Sequence, residues 1–269
     1  HQFIEEKIEK ETSYRHSLFE PAERSENGLA EMRERLRGIL GVVDERLDPR
    51  VEFLDDSAVT LDGKPLGSLV AEGPGFHIHQ VRWSVLPGFY AEGLYITPTG
   101  ANATPTAPPA MILLPDAGET PEDVVGLTAN LRGREQMGLR FAAAGFRVMI
   151  PTTLSRTQFR GHATDDDKVK DTEQTRREWI YRQAFQMGRH PLGYEIQAAL
   201  AALDWLLSES LAATITIAGY GEGGRAALYT AAIDERIDHA FVSGAFGPRT
   251  RAWTEPIDRN LFKLLPLFD

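Results

Sequence analysis

Four short, continuously apolar runs alternate with helical patterns through the chain, and this alternation restricts the fold more than any other feature. The runs are "AMILLPDAGE" (from Ala110), "RVMIPTT" (from Arg147), "TITIAGY" (from Thr214) and "HAFVSGAFG" (from His239). They lack the polar alternation of half-exposed strands and end in turn residues, as strands buried on both faces do. Between and around them, "REQMGLRFAAAGF", "EQTRREWIYRQAFQ", "LGYEIQAALAALDWLLSE" and "GRAALYTAAID" space apolar residues three and four apart, which predicts helices. Strand-helix alternation of this kind predicts an α/β fold, a mostly parallel sheet with helices on both faces.

The beginning of the chain follows another rhythm. Residues 2–47 carry helical spacing among charges, so residues 1–50 are expected to form a helical N-terminal extension and residues 51–269 the α/β domain. From about Val51 to Thr97 the period moves toward two. Two strand-like runs around Pro87-Gly88 predict an antiparallel hairpin. Thr99 to Pro109, rich in Pro, Thr and Ala, reads as a surface loop.

Composition removes several classes of function. A net charge of −10 argues against nucleic-acid and anionic-membrane partners. With no cysteine there are neither disulfides nor thiolate sites. No apolar run approaches the ~20 residues of a spanning helix. The first residue is His rather than Met, which fits a processed, tagged or excised chain and leaves room for a removed signal peptide, so a secreted or periplasmic location is slightly favoured over the cytoplasm. The sequon Asn102-Ala-Thr104 is a short match expected by chance. Nothing in the sequence bears on oligomeric state.

The sharpest local feature is Gly219-Tyr-Gly221-Glu-Gly-Gly224, which follows a strand and opens a helix. Read as G-x-G-x-x-G, it would seat a dinucleotide pyrophosphate on the helix N-terminus through Gly219, Gly221 and Gly224. That fingerprint calls for an acid about 20 residues on, at the end of the next strand. Here that strand ends "VSGAFG", without one. Read as G-x-S-x-G, the same letters form a nucleophile elbow with Gly221 at the nucleophile position, and Gly219 and Gly223 as the small neighbours that let strand and helix pack closely.

Together "WSVLPGFYAEGLYITP", "AMILLPDAGE", "LGYEIQAALAALDWL" and "IAGYGEGGRAALYTAAIDERIDHAFVSG" resemble the α/β-hydrolase superfamily, in its branch of acetyl xylan esterases and dienelactone-hydrolase-like proteins. The resemblance runs from about Val81 to Gly247. It implies a Ser-His-Asp triad acting on an ester carbonyl, and an oxyanion site made of backbone amides. The first amide maps to Glu222. The second lies in the loop Pro115-Asp116-Ala117-Gly118, with Asp116 and Ala117 as candidates. Backbone donors survive side-chain substitution, so the oxyanion site is expected to persist although Gly221 has no nucleophile.

The family's acid and histidine follow later strands, which do not occur before Asp269. The apolar segment "EPIDRNLFKLLPLF" is expected to cover further sheet, so the C-terminal part of the fold is expected to lie outside these residues. Ser155 and Ser243 fall near strand ends without a recognisable base. His190, before a proline between two helices, suits a structural turn better than a general base. Glu222 is expected to be exposed at a helix N-terminus, where it favours the dipole. His77 and His79 share a strand face but have no third ligand nearby, and the carboxylates of Thr164–Asp171 read as a solvated loop, so no metal or cofactor is expected. His190, Trp179 and Tyr181 are candidate pocket residues; Trp83, Trp179, Tyr181 and Trp205 could together line a carbohydrate site, although aromatics at helical spacing more often belong to the core.

Three functions remain open on the sequence: an esterase-type fold without the usual acyl transfer, a carboxylic-ester hydrolase with a nucleophile from elsewhere, and a dinucleotide-binding protein. The resemblance implies a small-molecule or carbohydrate ester as ligand for the first two.

Overall fold

The computed structural model describes residues 2–18, 26–54, 69–100, 103, 108–128, 136–156, 174–247 and 254–264. In chain order the first half forms α1 (Gln2–Leu18), α2 (Glu26–Leu40), β1 (Val51–Phe53), β2 (Leu69–Gly73), β3 (Phe76–Leu86), β4 (Phe89–Pro98), β5 (Ala110–Leu114) and α3 (Pro121–Val124). The second half forms α4 (Met137–Ala143), β6 (Arg147–Pro151), α5 (Arg176–Gln186), α6 (Pro191–Ser208), β7 (Ile215–Tyr220), α7 (Glu222–Ile233), β8 (His239–Ser243) and a 3₁₀ turn, Ile257–Arg259. They form two compact units, one of His1–Val43, Arg156–Tyr194 and Phe246–Asp269, the other of Asp44–Ser155 and Glu195–Ala245.

The second unit holds the sheet. Among the described residues it has eight strands in the order β1-β3-β4-β6-β5-β7-β8, with β2 paired to β3. The four apolar runs are parallel neighbours, β6-β5-β7-β8; β5, β6 and β7 are buried as expected, whereas β8, at the end of the order with one neighbouring strand among the described residues, is exposed. The expected hairpin is β3-β4, with Trp83 opposite Ala91 and His79 opposite Tyr95. It joins the parallel strands by an antiparallel β4-β6 pairing. β1 and β2, too short for the sequence pattern to reveal, add two further antiparallel pairings on the far side of β3, in a sheet that is mixed rather than mostly parallel.

Alternation along β4 distributes its side chains between the two faces. Leu94 and Ile96 pack with Met111, Val148, Ile150 and α4's Ala142 in one apolar cluster. Tyr95 points the other way and meets the Trp205 ring of α6 edge-on at 5.2 Å. Beside it, Trp83 is buried and donates its indole N–H to the Ala198 carbonyl at 3.0 Å, which satisfies its one polar atom. Trp83 and Trp205 are therefore core residues. α7 packs on β7 and β8. β8 ends the strand order, and four of its five residues are exposed, Phe241 at 60%.

In the first unit, α5 starts at Thr175, whose hydroxyl accepts the Glu178 amide. A buried ion-pair cluster ties α5 to the 3₁₀ turn. The Arg177 guanidinium Nε lies 3.1 Å from Asp258 Oδ2, and Arg156 reaches the same oxygen at 2.9 Å. The side chains of Arg177 and Asp258 are 0% and 2% exposed. Removing one member of such a pair strands the other charge in a dry site. Asp258→Ala should therefore cost about 3–5 kcal/mol of stability, read as a lower midpoint in urea denaturation; an unchanged midpoint would show that the pair contributes nothing.

Candidate active-site elbow

β7 delivers the chain to Gly221, which has φ 58° and ψ −120° before α7 begins. This backbone region strains any residue with a Cβ, and it is the strained strand-to-helix turn of a nucleophile elbow. Backbone contacts hold the turn. The Gly221 amide donates to the Ser243 carbonyl at 2.9 Å, and the Arg225 amide donates to the Gly221 carbonyl at 3.1 Å. The flanking glycines allow the strand and helix to approach. A Cβ at Gly219 would collide with the Gly223 carbonyl, and one at Gly223 with the carbonyls of Leu114 and Pro115.

The space beside Gly221 is filled by the Asp116 side chain. A Cβ built on Gly221 would lie 2.5 Å from Asp116 Oδ1 and 2.9 Å from Oδ2. Asp116 Oδ1 accepts two backbone amides, from Glu222 at 2.8 Å and from Ala117 at 2.9 Å. These are two of the amides expected to stabilise an oxyanion, and both converge on one carboxylate oxygen of the chain itself. The helix N-terminus beneath adds its partial positive charge to the same spot.

Asp116 is aimed by the loop that follows β5. The Glu119 amide donates to the Asp116 carbonyl at 2.9 Å, and the Asp116 amide donates to the Glu119 carboxylate at 3.3 Å. The Thr153 hydroxyl, at the end of β6, also donates to the Asp116 carbonyl, at 3.3 Å. A reciprocal capping box between Thr120 and Asp123 then starts α3. The amide of Asp116 is thus turned toward Glu119, and of the two candidate donors in this loop only Ala117 faces the elbow.

Glu222 departs from expectation. Its side chain is 3% exposed, not solvated, and its carboxylate lies 3.5 Å from the buried Arg225 guanidinium one turn along α7. An arginine three residues on provides a partner that permits this burial. The carboxylate is therefore held within α7's own ion pair, while the Glu222 backbone serves the elbow.

The glycines of the dinucleotide reading have other uses. Gly219 is required by the close approach of the Gly223 carbonyl, Gly221 lies against Asp116, and a Cβ at Gly224 would lie 2.6 Å from the Ser243 carbonyl. The α7 N-terminus already holds a carboxylate, which would repel a pyrophosphate.

The remaining candidates are dispersed. His190 and Tyr181, in the first unit, are both buried, with rings meeting edge-on at 5.4 Å. His190 Nδ1 accepts the Leu192 amide at 3.0 Å, so the ring caps the start of α6, and the residue also lines a cavity of the first unit. Burial, and then the nearby Asp258 charge, raise the Tyr181 phenol above its usual pKa. Trp179 is 46% exposed and projects from α5 two residues before Tyr181, so α5 does not present the two rings on one face. In the second unit Ser243 is exposed and gives the elbow only its carbonyl, and Ser155 follows β6. His77 and His79 lie edge-on at 6.2 Å. Burial, and then the His77 charge, lower the pKa of His79. Among the described residues no three His, Cys, Asp or Glu side chains are grouped to hold a metal ion. Thr164–Asp171 and Asn102 lie outside the described residues.

The mixed sheet with its helices agrees with the comparisons with known proteins. The dienelactone hydrolase family model matches residues 100–257, and the chain belongs to that family. No curated protein sequence matches it. Among solved structures, a Bacteroides fragilis protein assigned as an acetyl xylan esterase is 16% identical with a TM-score of 0.65, covering 90% of this chain and 63% of its own. A methylesterase is 15% identical with a TM-score of 0.50, covering 88% of this chain and 45% of its own. The acetyl xylan esterase 1 of Thermoanaerobacterium sp. JW/SL YS485 is 16% identical over 90% of this chain and 67% of its own, with a TM-score of 0.42. The chain thus spans 63% of the length of the Bacteroides structure. At these identities the likeness is one of fold: an α/β-hydrolase sheet with its helices.

The Asp116 contact can be measured through stability. Asp116→Ala leaves the Ala117 and Glu222 amides without their acceptor and should cost about 1–3 kcal/mol. Asp116→Asn retains a carbonyl oxygen in that position and should cost less. Urea denaturation of the two variants checks both the magnitude and the order.

Proposed function

We propose that this protein is an ester-hydrolase-fold member of the dienelactone hydrolase family that does not carry out serine-type acyl transfer at its elbow. The observation that carries the reading is the position of Asp116. Acyl transfer at such an elbow needs a nucleophile and two amides free to receive the developing oxyanion. Here residue 221 has no side chain, and Asp116 Oδ1 takes both amides. An ester carbonyl entering the site would meet a carboxylate instead of hydrogen-bond donors. Acetylated carbohydrates and small carboxylic esters, the ligands that the resemblance implies, are therefore not substrates at this elbow, which acts as a fixed structural turn.

A fluorophosphonate probe should leave the protein unlabelled. Turnover of p-nitrophenyl acetate should match that of a heat-denatured sample. Labelling or turnover clearly above that control overturns the reading and points to a nucleophile elsewhere.

The two positions should also be coupled. Gly221→Ser places a Cβ in strained backbone and against Asp116, and should destabilise by about 1–3 kcal/mol from strain alone. Asp116→Gly removes the colliding carboxylate, so the double variant should be more stable than the sum of the single losses predicts. Strict additivity in a double-mutant denaturation cycle would show that Asp116 does not occupy the nucleophile's space.

A further inference from the structure

The first unit contains a cavity of about 520 Å³ whose described lining includes Arg35 of α2, Arg189 before α6, and Lys263. No aspartate or glutamate is among the described lining residues. The chain as a whole carries 39 acidic and 29 basic residues, so this lining runs against its net charge. The wall between the cations is aromatic. Phe185 and Phe262 line the cavity with rings at 6.1 Å and nearly perpendicular, at 84°. Both rings are open to solvent, at 50% and 66% exposure.

We propose that this cavity binds a small planar aromatic anion, such as an aromatic carboxylate. Its volume falls within the ~300–1,000 Å³ range of small-molecule sites. A flat apolar body stacked on one of these perpendicular rings and meeting the other edge-on would remove exposed aromatic surface from water, the term that supplies most of the affinity in such sites. The anionic group would then reach the cationic rim. Arg189 is fixed there, because its guanidinium donates to the Met187 carbonyl at 3.1 Å. Lys263 lies beside the same wall, with its ammonium 5.6 Å from the Phe262 ring centroid. Arg35 completes the rim from α2. A guanidinium fork favours a planar two-oxygen acceptor, which selects a carboxylate over a spherical anion. The site is independent of the elbow, since all these residues belong to the first unit and Asp116 and Gly221 to the second.

The test is a calorimetric titration of the full chain with 2-naphthoate, beside its neutral counterpart 2-naphthamide. The expected result is one site per chain for naphthoate and at least about tenfold weaker binding of the amide, the loss of one charge-assisted contact. Arg35→Glu and Lys263→Glu should each weaken naphthoate about tenfold or more at unchanged thermal stability, because both side chains are exposed. Phe262→Ala should weaken both compounds. Asp116→Ala should leave naphthoate binding unchanged. The proposal is overturned by absence of binding at millimolar naphthoate, by equal binding of the amide, by charge reversals without effect, or by loss of binding in Asp116→Ala, which would place the ligand at the elbow.

Discussion

Two backbone N–H groups, those of Ala117 and Glu222, point at one spot at the start of α7 and need an acceptor there. In a working acyl-transfer elbow that acceptor is the substrate oxygen as it gains charge, and between turnovers it is water. Here it is Asp116 Oδ1, at 2.9 and 2.8 Å. The rest of the site follows from this contact. The loop after β5 is braced by Glu119 and Thr153 so that the carboxylate reaches the elbow. Gly221 is compatible with it because any larger residue would collide with that carboxylate. The amides, the helix dipole and the missing side chain make one anion-filled turn.

The same contact distinguishes shape from chemistry in this fold. The backbone at residue 221 keeps the strained conformation that displays a nucleophile, and the glycine relieves the strain that a serine would bear. Packing of α7 onto the end of β5 still requires Gly223, and packing of β7 onto α7 still requires Gly219. These needs belong to the sheet and helix whether or not an ester is cleaved, so the elbow's outline persists without its reaction.

Much of the architecture was legible from local pattern. The four apolar runs, the helices between them and the β3-β4 hairpin follow from periodicity, although β8 proves exposed where its apolar letters imply burial. β1 and β2 were not legible: three and five residues carry too little alternation, and β3 supplies their pairing. At the site, Gly221 and the amides of Ala117 and Glu222 were legible as elbow letters. The side chain of Asp116 was not, because its role depends on a residue 106 positions away, Glu222, brought close only by the parallel pairing of β5 and β7. The clue available in the sequence was the combination itself: an acid just after the first buried strand, and a glycine where the fold displays a side chain. Glu222 misled for a related reason. An acid at a helix start normally faces water, whereas here Arg225, one turn on, gives it a buried partner.

The most direct measurement is the NMR chemical shift of the Ala117 and Glu222 amide protons, in the native chain and in Asp116→Ala. If one carboxylate oxygen accepts both, the two resonances lie downfield in the native chain and both move upfield in the variant. A change at one amide alone, or at neither, would contradict an elbow filled by Asp116.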